Sequence, residues 1–89
     1  MLEQDIVISN RLGLHARASA KLVQLVNGFK STVMLVGNGR EINAKSIMGV
    51  MMLAAGLGST LTVRVEGPDE SEALSAVTDL FERKFDEGG

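Results

Sequence analysis

Cysteine is absent from the 89-residue chain, so neither a disulfide nor a thiolate metal site is open to it. Tryptophan and tyrosine are absent too, and three phenylalanines are the only aromatic residues. The core therefore has to be built from Val, Leu, Ile, Met and Ala, and the aromatic platforms on which single-stranded nucleic acids stack are missing. Positive charge is not in excess: nine Lys and Arg stand against eleven Asp and Glu, a net −2 that gives no reason for a nucleic-acid partner. No apolar run is long enough to cross a bilayer, and no signal-peptide pattern opens the chain. A cytoplasmic protein with no membrane insertion is the expectation. A single histidine is too few for an ordinary transition-metal site, so no metal or cofactor is expected. What remains is 45% hydrophobic residues, enough for one modest core, and residues 1–89 are read as one domain.

Asp5-Ile6-Val7-Ile8-Ser9 is short, β-branched and bounded by polar residues, which predicts a strand. Asn10 to Gly13 leads into a helix from about Ala16 to Asn27, with Gly28 suited to a left-handed position after it. Phe29 is placed to fold back onto the last turn. Thr32 to Val36 reads as the next strand, and Asn38-Gly39 is a strong hairpin signal before a short edge strand from Arg40 to Ala44. Ser46 is suited to cap a short helix, Ile47 to Leu53. Thr60 to Glu66 alternates cleanly, with Leu61, Val63 and Val65 on one face. After Gly67-Pro68, Asp69 with Glu72 has the spacing of a capping box. The helix behind it carries Ala73, Leu74, Val77, Leu80 and Phe81 as a stripe, with Arg83 and Lys84 near its end. Residues 86–89 read as a frayed tail.

The order is strand, helix, strand, strand, helix, strand, helix. Alternation in the last strand implies a sheet covered on one side and wet on the other, and three amphipathic helices supply that cover. The expected fold is α+β, an open-faced β-sandwich.

His15 is the candidate reactive residue. A surface histidine often has no role, but this one stands after Gly13-Leu14 at a helix start, with Arg17 two residues on. A helix start presents backbone N–H groups and the positive end of a dipole, and so favours an anion. A neutral ring nitrogen is a nucleophile, and the same groups are suited to hold a phosphoryl group that it accepts. No hydrolytic triad, Walker loop or nucleotide fingerprint accompanies it. Such a site carries a phosphoryl group only if other proteins load and unload it. Ser46 is the second candidate, although helix capping alone accounts for it; a phosphate there is also tolerated. Its helix is apolar nearly all round. From the residues alone, Ile47, Met48, Met51 and Met52 with Val50 and Leu53 are equally well explained by some of them filling core gaps or by part of the ring being an exposed docking patch.

Gly13-Leu14-His15-Ala16-Arg17 and Lys45-Ser46-Ile47-Met48-Gly49-Val50-Met51 together resemble HPr, the histidine-containing phosphocarrier family of the bacterial phosphotransferase system. The likeness spans essentially the whole chain, including Asn27-Gly28-Phe29, the Asn38-Gly39 hairpin and the Glu66-Gly67-Pro68-Asp69 turn. It implies a four-stranded antiparallel sheet with three helices on one face, in the order βαββαβα. It also implies a monomeric carrier, not an enzyme: His15 takes phosphate on Nδ1 from enzyme I and passes it to an EIIA histidine, with Arg17 in contact with the phosphoryl group. Ala20, Ile47, Met48 and Met51 match the family's partner-docking patch, and Ser46 matches a serine modified by HPr kinase/phosphorylase. A nitrogen-branch paralogue, NPr, shares a similar active-site loop. Ala18 replaces a proline common in the family, and Gln24 and Asn27 stand where some members carry lysines, which weakens electrostatic steering. Gly49 and Met51 follow the pattern of members with a Ser46 kinase.

Overall fold

The computed structural model describes residues 1–86. Its elements are β1 (Leu2–Val7), α1 (Ala16–Asn27), β2 (Thr32–Gly37), β3 (Arg40–Asn43), α2 (Ile47–Met52), β4 (Thr60–Glu66) and α3 (Glu70–Glu82), followed by a 3₁₀ turn at Lys84–Asp86. The strands form one antiparallel sheet in the order β1-β4-β2-β3. In β4 the alternation read from the sequence is realised: Leu61, Val63 and Val65 are buried, and the residues between them face the open side.

The core lies between the sheet and the helices. Val33 and Leu35 of β2 join the β4 residues, and Leu22 and Val26 of α1, Val50 of α2 and Val77 and Phe81 of α3 close over them. Each such side chain stabilises the fold by about 1.5–3 kcal/mol through burial. On the open face Arg64 spans the sheet, pairing with Glu3 at 2.7 Å and Glu41 at 2.6 Å. These groups are well exposed, so the pairs order the surface more than they stabilise it. The β2–β3 hairpin turns through Asn38 at φ 50° and Gly39 at φ 75°, the left-handed pair that the Asn-Gly signal requires.

Several local expectations are corrected. β1 runs Leu2–Val7, not Asp5–Ser9, because its pairing with β4 extends from Leu2↔Val65 to Val7↔Thr60. The polar Glu3, Gln4 and Asp5 are tolerated there because β1 is an edge strand with exposed side chains. Gly28 is right-handed, at φ −77°; its amide and that of Phe29 bond Leu25 and Val26, tightening the last turn. Asp69 begins α3 without a side-chain cap, since its carboxylate is engaged by Lys30 and Ser31. Asp86 is not frayed: the turn that contains it buries Phe85, and Arg83 pairs with Asp86 at 3.1 Å. The rest of the expected tail, residues 87–89, lies outside the described residues.

Candidate functional site

His15 is the N-cap of α1, with extended backbone at φ −75°, ψ 178°. Its carbonyl accepts the first intrahelical bond, from the Ser19 amide at 2.8 Å, so the amides of the first turn have no acceptor within the helix. The first turn contains no acidic residue to occupy that positive end. His15 is half-buried, while Arg17 in the same turn is exposed. The helix end at His15 is a positive, hydrogen-bond-donating surface, and Arg17 adds a cation to the same turn. Ala18 is fully buried, and the helix is regular from Ala16 onward without a proline there.

The loop before His15 is tied down by residues that the sequence did not single out. Buried Asn10 donates through Nδ2 to the Gly13 carbonyl at 2.8 Å, and Ser19 Oγ donates to the Leu14 carbonyl at 3.1 Å. The Leu14 amide donates to the Ala55 carbonyl at 2.9 Å. Short polar residues around a glycine were the only available signal.

Ser46 caps α2, its Oγ accepting from the Gly49 amide at 3.2 Å. Its hydroxyl oxygen therefore sits at an exposed helix start. Next to it, Lys45 is held by two bonds, Nζ to the Phe29 carbonyl at 2.9 Å and its amide to Asn43 Oδ1 at 2.8 Å. Asn27, noted above as a missing lysine, ties the end of α1 through Nδ2 to the carbonyls of Val23 and Lys45.

The ambiguity of the methionine-rich helix is resolved by burial. Val50 and Leu53 enter the core, whereas Ile47, Met48, Met51 and Met52 are 41, 70, 46 and 55% exposed. Helix α2 packs against α1, on which Ala20 is half-buried. The exposed apolar surface thus includes Met52, which the residues had offered as a patch candidate but which is not among the four matched through the family resemblance. Leu12 and Leu57 are also exposed, one in the loop before His15 and the other in the loop after α2. No group of three or more potential metal ligands is found among the described residues.

The family model described as the PTS HPr component phosphorylation site matches residues 2–83. The chain belongs to the HPr family. HPr of Cupriavidus necator is 59% identical over 88 residues, which cover 99% of each chain. NPr of Shewanella violacea is 41% identical, covering 97% of this chain and 94% of its own. Among solved structures, HPr-C-His of Thermoanaerobacter tengcongensis gives a TM-score of 0.94 at 44% identity, covering 98% of each chain. An HPr dimer from the same organism gives 0.77 at the same 44% identity, covering 96% of this chain and 98% of its own. The open sheet with three helices is the HPr fold, and the chain is a phosphocarrier protein of the phosphotransferase system.

Proposed function

We propose that His15 is the phosphoryl acceptor of a stoichiometric carrier that works between enzyme I and EIIA proteins. The Nδ1 lone pair attacks phosphorus on the phosphohistidine of enzyme I. As the new N–P bond forms, the old one breaks, and its electron pair returns to the donor ring. A second exchange of the same kind moves the group to an EIIA histidine. Arg17 and the first-turn amides stabilise the charge on the equatorial oxygens. They hold it loosely, because tight binding of the phosphorylated ring would deepen a resting state and slow onward transfer. No base or triad is required for such an exchange, so the protein acts as a carrier and not as an enzyme.

The observation that carries this reading is the position of His15 as N-cap of α1, in a turn with Arg17 and without an acid. Ala20, Ile47, Met48 and Met51 supply the surface on which both partners dock, and an adaptable methionine face suits two unlike partners. The carrier works as a monomer in the cytoplasm. Incubation with phosphoenolpyruvate and enzyme I is expected to give an acid-labile, base-stable phosphate that His15→Ala abolishes. Failure of the wild type to label with an active cognate enzyme I removes the reading.

A second output is regulatory. Ser46 stands exposed at the start of α2, directly before Ile47 and Met48. A phosphate there is favoured by the helix end and places a dianion at the edge of the docking surface. HPr kinase with ATP is expected to label Ser46. If that label forms while phosphoenolpyruvate labelling of His15 is slow, control and not sugar transport is the main role, as in an NPr-like or kinase-controlled module.

A further inference from the structure

The residues just before His15 are fixed from outside their own helix. Besides the Leu14–Ala55 bond, Gly13 sits at φ +64° against the segment that follows α2. A Cβ on Gly13 would lie 2.5 Å from the Ala55 carbonyl oxygen and 2.6 Å from Gly56 Cα. Both neighbours are backbone, which cannot step aside as a flexible side chain would.

The segment that receives this loop is itself in an unfavourable conformation. Ala54 has φ 50°, left-handed for a residue with a Cβ, at a cost of about 1–2 kcal/mol. Strain of this kind persists where the surroundings over-determine it, and it concentrates at functional sites. Here the restraints lie on both sides. The Leu53 side chain is buried and its carbonyl accepts from Asn38 Nδ2 at 2.8 Å, while the Ala55 carbonyl goes to Leu14. A right-handed residue 54 would continue α2 and keep both carbonyls along the helix axis. The left-handed turn sends one to the β2–β3 hairpin and the other to the loop before His15.

We propose that residues 53–56 are a positioning strap for His15, in which left-handed Ala54 and the Cβ-free Gly13 set the placement of the imidazole without touching the phosphoryl group. The strap leaves directly from α2, so the exposed methionine face and the ring are held in one rigid frame. That matters for a group passed between two proteins, because a misplacement of about 1 Å costs on the order of 10²-fold in rate. Gly13, Ala54 and Asn38 are positioning residues on this view.

The proposal rests on the phosphocarrier reading of His15, and one experiment separates the two. Wild type, Gly13→Ala and Asn38→Gly are compared for enzyme I-dependent phosphorylation, for the ¹⁵N resonances of the His15 ring and for hydrogen exchange at the Leu14 amide. Gly13→Ala drives the loop off the strap, whereas Asn38→Gly keeps a turn-competent residue and deletes only the tether to Leu53. The expected kcat falls about tenfold in Gly13→Ala and about threefold in Asn38→Gly, with KM within about twofold, shifted ring resonances and faster Leu14 exchange. Unchanged kcat in folded variants overturns the strap. Should Gly13→Ala not fold, Asn38→Gly decides alone. If the wild type takes no phosphate, the phosphocarrier reading fails by itself; the ring resonances and Leu14 exchange then decide, movement supporting the strap and constancy overturning it.

Discussion

Ser31 and Asp69 stand 38 positions apart and hold each other in both directions. Ser31 Oγ donates to Asp69 Oδ1 and accepts from the Asp69 amide at 3.2 Å. The carboxylate also takes the amides of Lys30 and Ser31, each at 2.9 Å. This pins the start of α3 to the link between α1 and β2. Gly67 completes the approach, since at φ 150° a Cβ there would lie 2.6 Å from Ser31 Cα.

The Ser31 hydroxyl, followed by the Lys30 amide, holds the Asp69 carboxyl below an ordinary aspartate's 3.8. The folded value is thus lower than the unfolded one. Stability from Asp69 is then present in full above the unfolded value and is lost as pH falls through the folded value. Urea midpoints of wild type and Asp69→Asn are expected to differ most near neutral pH and to converge in acid. A gap that stays constant down through the carboxylate range would show that the ionised form is not what stabilises the junction.

Arg17 is exposed and makes no part of the core, so Arg17→Ala is expected to leave stability within about 0.5 kcal/mol. Loss of the guanidinium is expected to slow phosphorylation of His15 by roughly 10²-fold, the usual effect of deleting one charge-stabilising donor. Arg17→Lys should recover part of the rate, because it restores charge but not the planar fork. Stopped-flow transfer from phospho-enzyme I, with thermal melts alongside, measures both.

Ser46→Asp is expected to fold as well as wild type, since aspartate is as good an N-cap as serine. The new charge beside Ile47 and Met48 should weaken binding to enzyme I by about tenfold, or about 1.4 kcal/mol. Calorimetric titration reads the affinity, and an unchanged Kd would separate Ser46 from the docking surface.

Phe85 is fully buried in a turn where Lys84, Phe85 and Asp86 all have positive φ. Its ring meets Phe81 edge-on, 4.9 Å between centroids, and Lys21 Nζ donates to its carbonyl at 2.7 Å. Phe85→Ala is expected to cost about 3–5 kcal/mol in chemical denaturation, far more than a frayed end would. A loss under about 1 kcal/mol would mean that the turn opens readily in solution.

The HPr-like character of the chain was legible in short local patterns. Asn38-Gly39 demanded a left-handed turn, Thr60–Glu66 alternated with period two, and Ser46 stood where a helix needs a cap. His15 was legible because a lone histidine beside Gly13 and Arg17 at a helix start has few rivals in 89 residues. Each of these signals is spent within a few residues, where propensity and hydrogen-bonding chemistry act directly.

Where long-range contacts compete with a local rule, the sequence misled. Asp69 has the spacing of a capping box, yet Ser31 and Lys30 take its carboxylate. Asp86 was read as the start of a frayed tail, yet it closes a left-handed turn that the edge of Phe81 and the ammonium of Lys21 hold through Phe85.

The sequence by itself determined that an imidazole would stand at a helix start beside an arginine, because capping and helix periodicity are local. Only the tertiary structure decided how that imidazole is held. The Leu14 amide meets a carbonyl 41 residues further on, and Ala54 accepts a left-handed conformation because the hairpin and the His15 loop pull on either side of it. Contacts between distant backbone atoms leave no periodicity in the chain, so a histidine at a helix start could be read there and the contacts that hold its loop could not.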